Sequence, residues 1–153
     1  MKRVSTLVVM VMAFVVFGLL NVSQAAVPGT VKETANFKIL VPTGWEFSDF
    51  GNGALQTYNK MGSFMVELKI GGENMTNVKS NVDNFVAQYK GSGPDKVEML
   101  GLSFFKTTYD KGSQHMSYYA ALKNGKMISI SLLGPAHETD ATIQDVLKSI
   151  QIK

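Results

Sequence analysis

The chain has 153 residues, no cysteine, a single arginine and a formal charge of +3. Without cysteine it holds no disulfide, thiolate metal site or thiol nucleophile, so its stability must come from packing. Lys2 and Arg3 account for two of the positive charges, and the remainder of the chain, at +1, has dispersed lysines and no arginine, which excludes a basic face or guanidinium fork for nucleic acid, nucleotides or anionic membrane.

Residues 1–25 read as an export signal. Lys2 and Arg3 form the positive start, Leu7 to Leu20 an apolar run, and Ser23 and Ala25 the small residues before a peptidase site, with cleavage expected after Ala25. Cutting after Ala26 would place Gln24 where a small side chain is preferred. The apolar run is shorter than the about 20 residues that span a bilayer, so cleavage rather than anchoring is expected. A lipid-anchored form would need a cysteine. The length that remains suits one domain with a single core.

Residues 26–36, with Pro28 and Gly29 and little apolar periodicity, read as an exposed, mobile leader to a single domain over 37–153. Phe37, Ile39 and Val41 alternate as in a partly buried strand that stops at Pro42, and Pro42-Thr43-Gly44-Trp45 reads as a turn. Further strands are expected at Ala54 to Tyr58 and at Ser63 to Ile70, where Phe64, Val66, Leu68 and Ile70 share one face and Met65, Glu67 and Lys69 the other. From Asn77 the period changes: Val78, Val82, Phe85, Val86 and Tyr89 make the stripe of an amphipathic helix that Gly91 is placed to end. Beyond Gly93-Pro94, strands are expected at Lys96 to Leu100 and Leu102 to Asp110, with Gly101 as the bend. Asn124-Gly125 joins strands Gln114 to Lys123 and Lys126 to Leu133 through a two-residue type I′ turn. A final helix is expected from Asp140 to Ser149, with Thr139 as its N-cap and Ile143, Val146, Leu147 and Ile150 on one side.

The predicted order is β-β-β-α-β-β-β-β-α, an α+β domain with a mainly antiparallel sheet of about six to seven strands and two packed helices. This order, opened by Phe37-x-Ile39-x-x-Pro42-x-Gly44-Trp45, resembles the PsbP-like fold, an α/β/α sandwich of photosystem II extrinsic proteins and many bacterial exported proteins. Photosynthetic members dock on a membrane complex and use longer N-terminal segments than the short leader here. The resemblance implies a binding or accessory module rather than an enzyme, and transfers no ligand residue.

Trp45, the only tryptophan, is either a partner anchor or, more simply, a cover for one end of the core. His115 and Met116, with Met61, Met65, Met75, Met99 and Met127, are the residue types of a soft-metal carrier. Adjacent strand residues face opposite sides, however, and thioethers commonly fill core gaps, so no metal site or cofactor site is assigned. His137, close to Glu138 and Asp140, is explained by the start of a helix. A hydrolase triad would set His115 or His137 beside a serine and an aspartate, but the chain has no nucleophile-elbow sequence such as Gly-x-Ser-x-Gly, and no catalytic residue is assigned. The Asn74-Met75-Thr76 sequon matters only in a eukaryotic secretory pathway.

Alternation places His115, Ser117 and Tyr119 on one side of a strand and Ser129 and Ser131 on one side of the next. If these rows are neighbours they form a polar interaction surface, which Tyr109 and Thr107 would extend. The functional expectation is an exported, non-catalytic domain in the periplasm or outside the cell, without a membrane anchor after cleavage, binding an unidentified envelope protein. A small-ligand or metal carrier is the alternative, and a hydrolase the third reading.

Overall fold

The computed structural model describes residues 26–72 and 76–153. The export signal with its Ala25 cleavage site, Met75, and Asn74 and Met75 of the sequon lie outside the described residues. The chain forms β1 (Gly29–Glu33), β2 (Phe37–Pro42), β3 (Trp45–Asp49), β4 (Ala54–Asn59), β5 (Met65–Gly71), α1 (Lys79–Tyr89), β6 (Ser92–Met99), β7 (Leu102–Lys111), β8 (Gln114–Lys123), β9 (Lys126–Leu133), α2 (Ala141–Ser149) and β10 (Gln151–Ile152).

Seven strands build one antiparallel sheet in the order β3-β4-β5-β9-β8-β7-β6, and β1-β2-β10 form a smaller one. The α+β class, the antiparallel pairing and the two helices are as the sequence predicts. Asn124 (φ 51°) and Gly125 (φ 73°) both take the left-handed region, setting Lys123 opposite Lys126 and fixing the β8–β9 register. Leu100 and Gly101 make an equivalent turn that sets Met99 opposite Leu102.

The large sheet buries apolar side chains on both faces. On the inner face, Val66, Leu68, Phe104, Ile128, Ile130 and Leu132 pack with Phe37 and Ile39 of β2 and with Ile143 and Val146 of α2 to make the main core. On the outer face, Val78, Val82 and Ala120 form a smaller cluster beneath α1. β9 lies at the centre of the sheet, and its alternation sends Ile128, Ile130 and Leu132 inward and Ser129 and Ser131 outward.

Several local expectations need correction. Gly29–Glu33, within the expected mobile leader, is instead a strand paired along β2 from Gly29↔Pro42 to Glu33↔Lys38. Its side chains are all exposed, so backbone hydrogen bonding holds it and no apolar pattern announces it. Trp45, expected to finish a turn, begins β3 and pairs with Asn59. β6 starts at Ser92, with its register shifting between Ser92 and Asp95. Pro94 is tolerated because β6 is an edge strand.

The helix ends also differ. Lys90, not Gly91, takes the left-handed C-cap of α1 (φ 53°), whereas Gly91 allows a close approach to β7: a Cβ there would lie 2.6 Å from Thr107 Oγ1. Asp140 rather than Thr139 caps α2, its carboxylate accepting from the Ile143 amide at 2.9 Å.

Candidate functional site

α1 packs on β7 and β6, which leaves the outer face of β9 and β5 uncovered. Where the edge of the helix overhangs this open half of the sheet, a groove of about 490 Å³ forms. Its wall is aromatic. Phe85 stacks on Tyr118 (centroids 4.4 Å apart, planes 11° apart), meets Tyr109 edge-on at 5.0 Å and touches Tyr89 at 4.7 Å. Its floor carries Ser129 and Ser131 of β9 and Glu67 and Lys69 of β5, with Met65 and Met116 towards one end and Met127 towards the other.

Register explains the arrangement. Glu67 stands opposite Ser131, and Ser131 opposite Tyr118, so a carboxylate, a hydroxyl and a phenol form one row across three strands. Glu67 is half-buried and makes no ion pair among the described residues. Burial, reinforced by Tyr89, Tyr118 and Glu67, pushes the Tyr109 phenol up to about 12. The Tyr118 phenol is raised chiefly by burial, with a further contribution from Glu67. Both tyrosines therefore stay neutral hydrogen-bonding groups at physiological pH.

The sequence-predicted surface divides at this point. The two polar rows lie on opposite faces of the sheet, because Ser129 and Ser131 pair with Ala120 and Tyr118 rather than with Ser117 and Tyr119. Tyr109, Ser129 and Ser131 meet in the groove, but Ser117 and Tyr119 are buried on the inner side. Trp45 is half-buried against the main core, away from the groove. Thr107 is buried, its hydroxyl donating to the Ser92 carbonyl at 2.6 Å. Glu67, Phe85, Tyr89 and Tyr118 are site residues that sequence reasoning did not single out.

His115, Ser117 and His137 form a separate cluster. His137 is fully buried; its Nδ1–H donates to the Gly134 carbonyl at 2.7 Å, and its Nε2 accepts from the Ser117 hydroxyl at 2.7 Å. A carbonyl can only accept, which fixes this neutral tautomer. Asp110 instead pairs with His115 (2.8 Å), whose ring lies 5.1 Å from that of His137. Acid and hydroxyl are thus held by different imidazoles, and Ser117 is sealed from solvent, so the cluster ties β8 to the chain entering α2 and is not a hydrolase triad.

Burial pushes the His137 imidazole below its ordinary 6.5. Unfolding lets it take up a proton that the folded domain refuses. Its contribution to stability is therefore complete above pH 6.5 and is lost as pH falls from there towards the depressed folded value. Glu138, held down chiefly by its ion pair with Lys106, acts only in a lower window: its contribution is present above 4.5 and is lost as pH falls through its folded value. Urea midpoints at about pH 7.5 and about pH 5.5 should show a drop on acidification that is absent from a His137→Asn variant.

Among the described residues no group of three or more His, Asp or Glu side chains could hold a metal ion. His115 and Met116 occupy consecutive positions of β8 and pair across it with different residues, Asp110 and Tyr109. Met61 is exposed at the β4–β5 turn, and Met99 lines a second crevice of about 560 Å³ beside Lys106 and Glu138, which neutralise each other. No described helix is long and apolar enough to cross a membrane.

A seven-stranded antiparallel sheet between α1 on one face and β2 with α2 on the other defines a PsbP-like α+β sandwich. The solution structure of cyanobacterial PsbP (CyanoP) from Synechocystis sp. PCC 6803 is similar over 81% of this chain and 92% of its own, with a TM-score of 0.56 at 12% identity. A crystal structure from Bacteroides thetaiotaomicron VPI-5482 aligns over 76% of this chain and 45% of its own length, with a TM-score of 0.48 at 12% identity. No protein-family model and no curated protein matches the sequence. Likeness at 12% identity defines the fold and transfers no residue role.

Proposed function

We propose that the protein is an exported, non-catalytic binding domain of the bacterial cell envelope that grips an extended segment of a protein partner in the groove beside α1. The shape of the groove carries this reading. It follows β5 and β9 from the Gly71↔Met127 pair to the Met65↔Leu133 pair, a run of about 20 Å at the rise of a strand. That length suits about six residues of one extended chain rather than a compact ligand. Aromatic walls with a polar floor suit such a partner, since tyrosine gives contact area at low entropic cost and the hydroxyls satisfy peptide groups. Export rests on the signal-like residues 1–25, and the absence of catalysis on the sealing of the Ser117–His137 pair away from the groove.

Native mass spectrometry of the protein taken gently from its host's envelope fraction tests the proposal. The expected result is the mass of residues 26–153 plus a released protein partner, with that partner absent when Ser131→Trp fills the groove floor. A stoichiometric small-molecule or metal mass, lost on denaturation, would replace the partner reading with a carrier. A mass retaining residues 1–25 would overturn the cleavage.

A further inference from the structure

Resting on the reading of the groove as a peptide site, we infer that it selects a basic side chain, lysine or arginine, on the partner segment, with Glu67 as the counter-ion. The carboxylate lies within the groove, two residues from the Met65 end and four from the Gly71 end of the β5–β9 pairing, in the row Glu67–Ser131–Tyr118. It is half-withdrawn from water, and no described cation pairs with it. Lys69 and Lys111 also border the groove, but both are exposed at its rim. An incoming anion would have to lie against Glu67, whereas an incoming cation relieves its partial desolvation.

The remaining lining fits the same occupant. Tyr109, Tyr118 and Phe85 supply a π-rich wall beside the carboxylate, and aromatic rings attract ammonium and guanidinium groups. Met65 and Met116 form the next row on one side of this position, with polarizable, adaptable side chains that accommodate the methylene stem of a lysine or arginine. A basic residue in an extended strand would thus place its stem on methionine, its charge at Glu67 and its neighbouring peptide groups over Ser129 and Ser131.

The test uses the ¹⁵N-labelled protein titrated with blocked hexapeptides that are identical except for a central lysine, arginine, norleucine or glutamate, and with n-butylammonium alone. Lysine and arginine peptides should shift the amides of Glu67, Tyr118, Ser129 and Ser131 and bind about tenfold more tightly than the norleucine peptide. Glu67→Gln should abolish that preference while leaving the spectrum elsewhere unchanged. Norleucine or glutamate peptides binding the groove as tightly as lysine would overturn the charge selection and leave the peptide groove standing. Silence from every peptide would overturn both. A match between n-butylammonium and the lysine peptide would make the occupant a free amine and overturn the partner assignment.

Discussion

A His137→Leu variant should lose about 2–4 kcal/mol of stability, a large part of the about 5–15 kcal/mol that holds a typical domain together. The imidazole is the partner of both the Ser117 hydroxyl and the Gly134 carbonyl, and all three residues are buried. Leucine fills much of the volume but strands the Ser117 hydroxyl, at a cost of about 1–3 kcal/mol, and leaves the Gly134 carbonyl only the longer bond from the residue 137 amide (3.3 Å), partly offset by the apolar replacement. The surroundings give little room for relaxation: a Cβ on Gly134 would run into the Phe64 ring. Adding Ser117→Ala removes one stranded group. Urea denaturation should therefore show the double variant recovering about 1 kcal/mol relative to the sum of the single variants. Additive losses would mean that the hydrogen bond does not couple these positions.

A Phe85→Ala variant should release α1 locally, at a cost of about 2–4 kcal/mol. The helix has no side-chain N-cap hydrogen bond and no acidic residue in its first turn, and Val82 is its only fully buried residue. Phe85 provides two of the three ring contacts that fasten it to the sheet, to Tyr118 and Tyr109, and Tyr89 provides the third, to Tyr109. Amides of α1 should exchange about a hundredfold faster in the variant. Those of α2, capped by Asp140 and anchored by Ile143 and Val146, should be unchanged. Equal acceleration in both helices would show that α1 unfolds only with the whole domain. The lysine-peptide preference should disappear with Phe85, because the wall of the groove depends on it.

The sequence makes the interior pairs of the sheet legible and its rims much less so. Val66, Leu68, Ile128 and Ile130 announce buried strands by alternation, and Asn124-Gly125 sets a register. β1 gives no such signal, since all five of its side chains face water and its reason for existing is the backbone of β2. Alternation does not distinguish the helix caps, because Asp140 and Thr139 are both chemically suited to N-capping, and Gly91 answers to a contact with Thr107 that is remote in sequence.

Part of the site was within reach of the sequence. Counting back from the hairpin turn at Asn124-Gly125 pairs Tyr118 with Ser131 and separates Ser131 from Ser117, so the division of the polar rows follows from the same register that fixes the hairpin. The importance of Glu67 was not within reach. Its position on the face opposite Val66 and Leu68 is visible, but its place in a groove depends on α1 covering β6 and β7 and stopping short of β5. That is a property of tertiary packing.

The most direct test of the central claim is photo-crosslinking in the living host, with a benzophenone amino acid at Lys69 on the groove rim and, separately, at Lys148, exposed on α2 in the crevice beside Lys106. A peptide-binding groove gives a discrete crosslink from Lys69 to a short segment of one envelope protein, abolished by Ser131→Trp, and none from Lys148. A crosslink from Lys148 alone, or one from Lys69 that survives filling of the groove, would contradict it.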